Sequence, residues 1–258
     1  MRPIVLFLAN CLLVLFFTSM ITGRRKENMS SWVKLSGSDG KDICVNDKGE
    51  FYLVNTANKL YKYEGPKWKE DTYHAGVKVY AQNKGIIVWQ KGSELNWTSC
   101  KRLGRSMVSY GRVDYAYHKD IADIAIDSDS TVWLLDPYVD KPVIVKCEVT
   151  SYGPPANIAR IAAGAGMIWM IDKQGKIFQL KDRIHPNMGW EQKPGGDARD
   201  ITVTNDGYVF IVDNKGRIYQ WTGFRWDQLD GSDGLRIAAN GRKILLINTD
   251  REMYTRNY

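Results

Sequence analysis

Short polar side chains that suit ligand binding follow apolar runs at several places in the sequence. They are Asn55, Asp136, Asp172, Asp213 and Asn248. Their carboxylate and amide oxygens can accept hydrogen bonds from sugar hydroxyls, and a recurring set would give several equivalent sites. The same residue types stabilise turns by bonding their own backbone. We therefore predict turns at these positions, a role that is compatible with ligand binding.

A basic residue also recurs shortly before an isoleucine or valine in the same repeating pattern. The set comprises Lys41, Lys78, Arg160, Arg199 and Arg236. If these residues face one rim or a central channel, they form a cationic ring suited to phosphate or sulfate groups. Their register differs by one residue between repeats, which favours the alternative of separately solvated side chains.

Aromatic residues are abundant: the chain has nine Trp, fourteen Tyr and seven Phe. A tryptophan opens successive repeats, and this spacing favours a packing role over sugar stacking. The repeat-opening residues are Trp32, Trp68, Trp97, Trp190 and Trp226. Trp133 and Trp169 fall in apolar runs and are predicted core residues. Trp221 and Tyr63 occupy equivalent positions and are the aromatic ligand-binding candidates.

Catalysis finds little support in the sequence. The three histidines fall in different repeats, and no nucleophile elbow, phosphate-binding glycine loop or zinc motif occurs. Asp42, Asp123 and Asp200 recur, whereas an active site needs one asymmetric set of groups. We expect a binding protein without metal or cofactor. A calcium-dependent hydrolase is the minor alternative, since some six-bladed propellers have that activity.

The amino terminus predicts targeting. Residues 1–23 contain an apolar run from Ile4 to Phe17 and are typical of a secretory signal peptide. A basic linker follows at 24–31. Its cluster at 24–26 is unusual after a cleaved leader, so a membrane anchor through residues 4–21 is the alternative.

The cysteines and sequons agree with a secretory route. Cys100 and Cys147 are a candidate disulfide, and Cys44 is expected to pack as a small apolar residue. Glycosylation sequons begin at Asn28 and Asn96. The net charge of +7 favours acidic partners. Nucleic acid is not expected for a secreted chain.

The sequence repeats. The segment from Trp32 to Gly37 aligns with that from Trp190 to Gly195, and the match continues without a gap to Trp68 and Trp226. Looser copies fill the remaining chain. The predicted units are about 32–67, 68–96, 97–153, 154–189, 190–225 and 226–258.

Each unit predicts four short β-strands. Val209–Val212 is a short apolar run, and turns such as Asn205–Gly207 supply the positive-φ residue that a hairpin needs. Six such units predict an all-β, six-bladed β-propeller. The first strand, near Trp32, should close the ring against the last unit.

These motifs resemble the tectonin repeat. The resemblance lies in W-x-x-(L/K)-x-G, (K/R)-D-I-x-V and K-(I/L)-Y-x-x-x-G-x-x-W, and is clearest in 32–68 and 190–226. Tectonin-repeat proteins include fish egg lectins and tachylectin-type proteins that bind carbohydrate or lipopolysaccharide. The resemblance implies a secreted lectin of innate defence, whose partners are glycans, lipopolysaccharide or proteins at a microbial surface. A membrane-associated adaptor that binds lipid or protein is the alternative, with membrane contact if the leader is uncleaved.

Overall fold

The computed structural model describes most of the chain beyond the leader. The described residues are 32–37, 39–76, 78–82, 85–89, 123–128, 132–136, 141–146, 148–151, 157–182, 189–231 and 233–258. The predicted leader and linker, the Cys100–Cys147 pair, Trp97 and the sequons at Asn28 and Asn96 lie outside the described residues. Within these ranges, no helix is long and apolar enough to span a membrane.

The regular elements are β-strands, and they pair into antiparallel sheets. Sheet I contains β2 (Gly40–Val45), β3 (Phe51–Asn55), β4 (Lys59–Glu64) and β5 (Lys67–Ala75). Sheet II contains β6 (Lys78–Gln82) and β7 (Gly85–Trp89). Sheet III contains β8 (Asp123–Ile126), β9 (Val132–Asp136), β10 (Lys141–Lys146) and β11 (Glu148–Ser151).

Three further sheets complete the described part of the chain. Sheet IV contains β12 (Ile158–Gly164), β13 (Met167–Asp172), β14 (Ile177–Leu180) and β15 (Trp190–Gln192). Sheet V contains β16 (Ala198–Val203), β17 (Val209–Asp213), β18 (Ile218–Trp221) and β19 (Trp226–Gln228). Sheet VI contains β20 (Gly234–Asn240), β21 (Lys243–Asn248), β22 (Met253–Asn257) and β1 (Val33–Lys34).

The first strand of each sheet lies on the inside of the molecule. These inner strands are β2, β6, β8, β12, β16 and β20, and each contacts the next, with β20 returning to β2. Strand β1 pairs with β22, with Val33 opposite Thr255. The all-β prediction is therefore confirmed, as is the pairing of the first strand with the last.

The core lies in layers between neighbouring sheets. Phe210 and Ile218 of sheet V pack against Ile237 and Leu246 of sheet VI. The next residue along β20, Ala238, belongs instead to the layer between sheets VI and I. This alternation follows from the two-residue period of a strand, and full burial of a side chain such as Phe210 contributes about 1.5–3 kcal/mol.

Tryptophans fill the wide parts of these layers. Trp133 is 0% exposed and Trp169 is 1% exposed, as predicted for core residues. Trp226, on the outer strand of sheet V, donates a hydrogen bond from Nε1 to the Pro194 carbonyl oxygen at 2.8 Å. Trp68 and Trp32 donate in the same way to Ser36 and Asp230. The predicted packing role is thus confirmed for these three outer-strand tryptophans.

The glycine that ends each W-x-x-x-x-G motif lies beside such a tryptophan. Gly231 has φ of +106°, and a Cβ there would lie 2.6 Å from Nε1 of Trp32. Gly195 and Gly37 contact Trp226 and Trp68. The motif therefore joins one sheet to the next through a tryptophan–glycine contact.

Candidate functional site

Charged side chains of both signs line the channel between the inner strands. At the position just before the inner isoleucine or valine, acids and bases alternate from one sheet to the next. In chain order these residues are Asp42, Lys78, Asp123, Arg160, Asp200 and Arg236. They surround a cavity of about 70 Å³.

The three aspartates join neighbouring inner strands. Asp200 Oδ2 accepts the backbone N–H of Ile237 at 2.8 Å. Asp42 and Asp123 accept the equivalent N–H groups of Val79 and Ile161 at 2.9 and 3.0 Å. These repeated carboxylates therefore have the structural role that their recurrence indicated.

Arg160 and Lys78 neutralise the aspartates. Arg160 contacts Asp200 Oδ1 through Nε at 2.7 Å and Nη2 at 2.5 Å, and Asp123 at 3.3 Å. Lys78 lies 3.2 Å from Asp123 and 3.9 Å from Asp42. Burial opposes ionisation of Asp123, but Arg160 and Lys78 outweigh it and lower its pKa. At Asp42, burial prevails over the attraction of Lys78 and Arg160, and raises the pKa.

The predicted cationic ring needs correction. Only Lys78, Arg160 and Arg236 of the predicted set line the channel cavity. Lys41 instead bonds Asn58 Oδ1 at 2.7 Å, and Arg199 shares its register. Because side chains alternate along a strand, a shift of one residue places a side chain on the opposite face. The channel therefore holds alternating charges.

The predicted turn residues each end the strand that follows the inner strand of a sheet. Asp213 Oδ1 accepts the backbone N–H groups of Lys215 and Arg217 at 2.9 and 2.8 Å. Asp172, Asn55 and Asn248 likewise accept N–H groups of the residues that follow them. The turn prediction is confirmed for these four residues. Asp136 ends β9, and its side chain lies outside the described residues.

A tyrosine, a cation and a carboxylate come together beside the turn in sheet V. Arg217 bonds Asp213 Oδ2 through Nε at 2.7 Å and Nη2 at 2.6 Å. Its guanidinium carbon lies 5.6 Å from the centre of the Tyr219 ring, whose hydroxyl lies 3.4 Å from Asp213 Oδ2. Burial is the main cause that raises the pKa of Tyr219, followed by the charge of Asp213. The phenol therefore stays protonated and can donate a hydrogen bond.

Sheets I and VI also bring a tyrosine, a cation and a carboxylate together, with the charged residues at other positions of the repeat, and we call each such set a tyrosine groove. In sheet VI, Tyr254 donates to Glu252 at 2.8 Å, and Glu252 pairs with Lys34 at 2.5 Å. In sheet I, the Tyr61 hydroxyl lies 3.4 Å from Glu70, which pairs with Lys59 at 3.0 Å.

Sheet IV differs because Phe178 occupies the tyrosine position. Both Phe178 and Tyr219 lie opposite the third residue from the end of the preceding strand, at Met170 and Ile211. Without a hydroxyl, Phe178 offers an aromatic face but no hydrogen bond.

Trp221 and Tyr63 lie two residues beyond the groove tyrosines, on the same strand face. Trp221 packs 5.0 Å from Trp226 and 5.8 Å from Trp169, as ring centres. Tyr63 packs 5.1 Å from Trp68. Both are half-buried, so part of each ring is accessible beside the groove.

The groove tyrosines are functional candidates that the sequence interpretation missed. Tyr61, Tyr219 and Tyr254 all follow a leucine, isoleucine or methionine in the K-(I/L)-Y part of the repeat. We used that pattern only to predict the fold. The tyrosine hydroxyl that recurs in it, close to charged residues, is the feature from which a site could have been predicted.

Residues 157–258 match the family model of the tectonin domain. The predicted relation to tectonin-repeat proteins is thereby confirmed, and the match spans sheets IV to VI. A search of the curated proteins found no match.

Solved structures share the fold at low identity. YCF48 from Cyanidioschyzon merolae has a TM-score of 0.58 and 11% identity, over 89% of this chain and 99% of that one. A luciferin-regenerating enzyme has a TM-score of 0.57 and 12% identity, over 88% and 95%. A protein of unknown function from Bacteroides thetaiotaomicron has a TM-score of 0.59 and 12% identity, over 88% and 72%. These likenesses support a β-propeller and say nothing of activity.

Proposed function

We propose that this tectonin-repeat propeller is a secreted, six-bladed lectin that binds glycans or lipopolysaccharide on microbial or other cell surfaces. The observation that carries the proposal is the recurrence of the tyrosine groove in sheets I, V and VI. Each groove places a tyrosine at the same position of the repeat beside an ion pair, and the residues of that ion pair come from different positions in the three sheets.

The groove suits a sugar for physical reasons. A tyrosine face packs against the apolar C–H face of a pyranose, while its hydroxyl bonds a sugar hydroxyl. The charged partners can form strong hydrogen bonds with other hydroxyls. The cations remain accessible, with Lys34 54%, Lys59 52% and Arg217 43% exposed, whereas the carboxylate of Asp213 is buried.

Several weak sites on one molecule support binding to a cell surface. A single shallow groove that competes with water gives modest affinity, whereas simultaneous contacts raise the overall affinity strongly. We infer a role in defence from this multivalency and from the tectonin match. The predicted signal peptide would deliver the protein outside the cell, and N-terminal sequencing of the mature protein tests its cleavage.

We infer no catalytic role. The recurring carboxylates of the channel are used by backbone N–H groups and by Arg160 and Lys78. Their arrangement repeats around the ring, in contrast to the asymmetric set that catalysis requires.

A glycan array with matched variants tests the proposal. The triple variant Tyr61→Phe, Tyr219→Phe and Tyr254→Phe removes the three groove hydroxyls and keeps the rings. We expect array binding to fall about tenfold or more, since each site loses a hydrogen bond of about 0.5–1.5 kcal/mol and the sites act together. Tyr258→Phe removes a hydroxyl that bonds Asp206 at 3.2 Å, outside the three grooves, and should leave binding unchanged. An intact protein that binds no glycan or lipopolysaccharide would refute the lectin proposal.

A further inference from the structure

The alternating charges of the channel are paired unevenly. Four successive contacts link Asp42, Lys78, Asp123, Arg160 and Asp200, at 3.9, 3.2, 3.3 and 2.5 Å. Arg236 completes the alternation. Among the described residues it has no carboxylate oxygen within 4.0 Å, and its polar contact is the carbonyl oxygen of its own neighbour Leu235 at 3.5 Å.

The two neighbours of Arg236 differ in how far they are satisfied. Asp200 accepts two bonds from Arg160 and one from Ile237. Asp42 accepts one backbone N–H from Val79, and its other oxygen faces Lys78 at 3.9 Å. A charged group in a partly enclosed cavity is stabilised by a close partner. Among the described residues, Arg236 is therefore the least paired base of the channel and Asp42 its least paired acid.

From this pair we propose that the channel binds a small α-hydroxy or α-amino carboxylate. The ligand carboxylate would pair with the guanidinium of Arg236, a geometry that favours two parallel hydrogen bonds. Its neighbouring hydroxyl or ammonium would donate to Oδ1 of Asp42, the oxygen that Lys78 approaches only to 3.9 Å. A simple anion would gain the first contact but meet the negative charge of Asp42, whereas a simple cation would meet Arg236.

The cavity is adequate for such a ligand. Its volume of about 70 Å³ exceeds several-fold the space that one water requires on the same measure, about 10–15 Å³. Thr202 and Tyr80 also line it. The Tyr80 hydroxyl donates to the carbonyl oxygen of Ile126 on the neighbouring inner strand at 2.8 Å, which fixes this side chain beside the cavity.

Calorimetric titration of the full chain with glycolate, glycine and acetate tests the site. We expect glycolate and glycine to bind about tenfold or more tightly than acetate, which lacks the second donor. Arg236→Gln should abolish the binding of all three. Asp42→Asn keeps an oxygen for the Val79 N–H, and it should remove the preference for glycine over acetate.

The controls separate this site from the tyrosine grooves. Arg242→Gln makes the same change at an exposed arginine outside the channel and should titrate like the unaltered protein. Arg236→Gln should also keep the glycan-array signal and the melting temperature, because Arg236 has no ion pair to lose among the described residues. Equal binding of glycolate and acetate, or unchanged binding by a folded Arg236→Gln variant, would overturn the proposal.

Discussion

The channel and the tyrosine grooves are built from the same repeats, yet they use their charges differently. In the channel, Asp200 is 2% exposed and is bonded to two other strands. In the groove of sheet I, Lys59 is 52% exposed and pairs with Glu70 on the adjacent strand of its own sheet. The channel charges connect sheets, while the groove cations pair within their own sheet and remain open to solvent.

This difference shows that burial decides which repeated residue is structural and which can serve a ligand. A buried charge must be paired, because the loss of its hydration is costly. An exposed pair contributes little to folding and can exchange its partner for a ligand. Repetition along the chain is therefore compatible with either role.

The largest expected effect is that of Asp200→Ala in the channel. The change leaves the Ile237 N–H unsatisfied and removes the closest carboxylate partner of buried Arg160. We expect a loss of about 3–5 kcal/mol in the free energy of unfolding, measured with urea. Asp227→Ala breaks an exposed pair with Arg225 and is the matched control, with little change expected. Equal effects of the two changes would remove the distinction between buried and exposed charges.

The next largest effect concerns the tryptophan–glycine contacts that join neighbouring sheets. In Gly231→Ala, the new Cβ would have to displace the Trp32 ring as well as adopt a positive φ. Gly223 has a similar φ of +104°, but an added methyl group there would meet nothing within 4 Å, so Gly223→Ala isolates the backbone strain. We expect Gly231→Ala to be less stable than Gly223→Ala by about 1–3 kcal/mol in thermal or urea unfolding. Similar losses of stability in the two variants would mean that the Trp32 side chain moves to accommodate the added methyl group.

A smaller effect separates two aspartates inside the channel by their pH dependence. The lowered pKa of Asp123 stabilises the fold above its ordinary value of 3.8, and this contribution is lost as the pH falls through the folded pKa. The raised pKa of Asp42 has the opposite sign: its contribution is present below 3.8 and is lost as the pH rises through the folded pKa.

Asparagine variants at the two positions measure this difference. At neutral pH, Asp123→Asn should unfold more readily than the unaltered protein, and the gap should shrink in acid. Asp42→Asn should be as stable or more stable at neutral pH, and lose that advantage in acid. Urea unfolding at a series of pH values gives both profiles, and parallel profiles would contradict the opposite signs.

The smallest effect on stability is expected in a groove. Lys59→Ala breaks the exposed pair with Glu70, and we expect no measurable change in urea unfolding, because solvent and salt already screen such pairs. Binding to the best array glycan should nevertheless weaken. If Lys59→Ala lowered stability as Asp200→Ala does, the groove would be a structural element like the channel.

Much of the fold could be predicted from the sequence because its signals are local. The turn at Asp213 follows from the preference of a short carboxylate for nearby N–H groups, and the burial of Trp169 follows from its apolar run. The pairing of β1 with β22 was predicted because a ring of repeats must close. The contact of Trp226 with Gly195 was not predicted, because it joins residues of two different repeats.

The candidate sites were harder to predict because the channel residues come from different sheets and the groove residues from different strands or turns of one sheet. Lys41 and Asp42 are neighbours in sequence, but strand geometry sends Lys41 towards Asn58 and Asp42 into the channel. Likewise, Tyr254 meets Lys34 through the pairing of β22 with β1. The separation of Lys34 and Tyr254 along the chain does not by itself predict that contact.

The sequence by itself determined the repeat, the β-strands and the turns, since each depends on interactions within one unit, and the regular spacing of the tryptophans indicated their packing role. The tertiary structure decided which face each charged residue takes and which charges meet. Those outcomes depend on register and on burial between sheets, and both arise only when the inner strands come together around the channel. The pairing of Asp200 with Arg160, and the lack of such a pairing at Arg236 among the described residues, are results of that assembly.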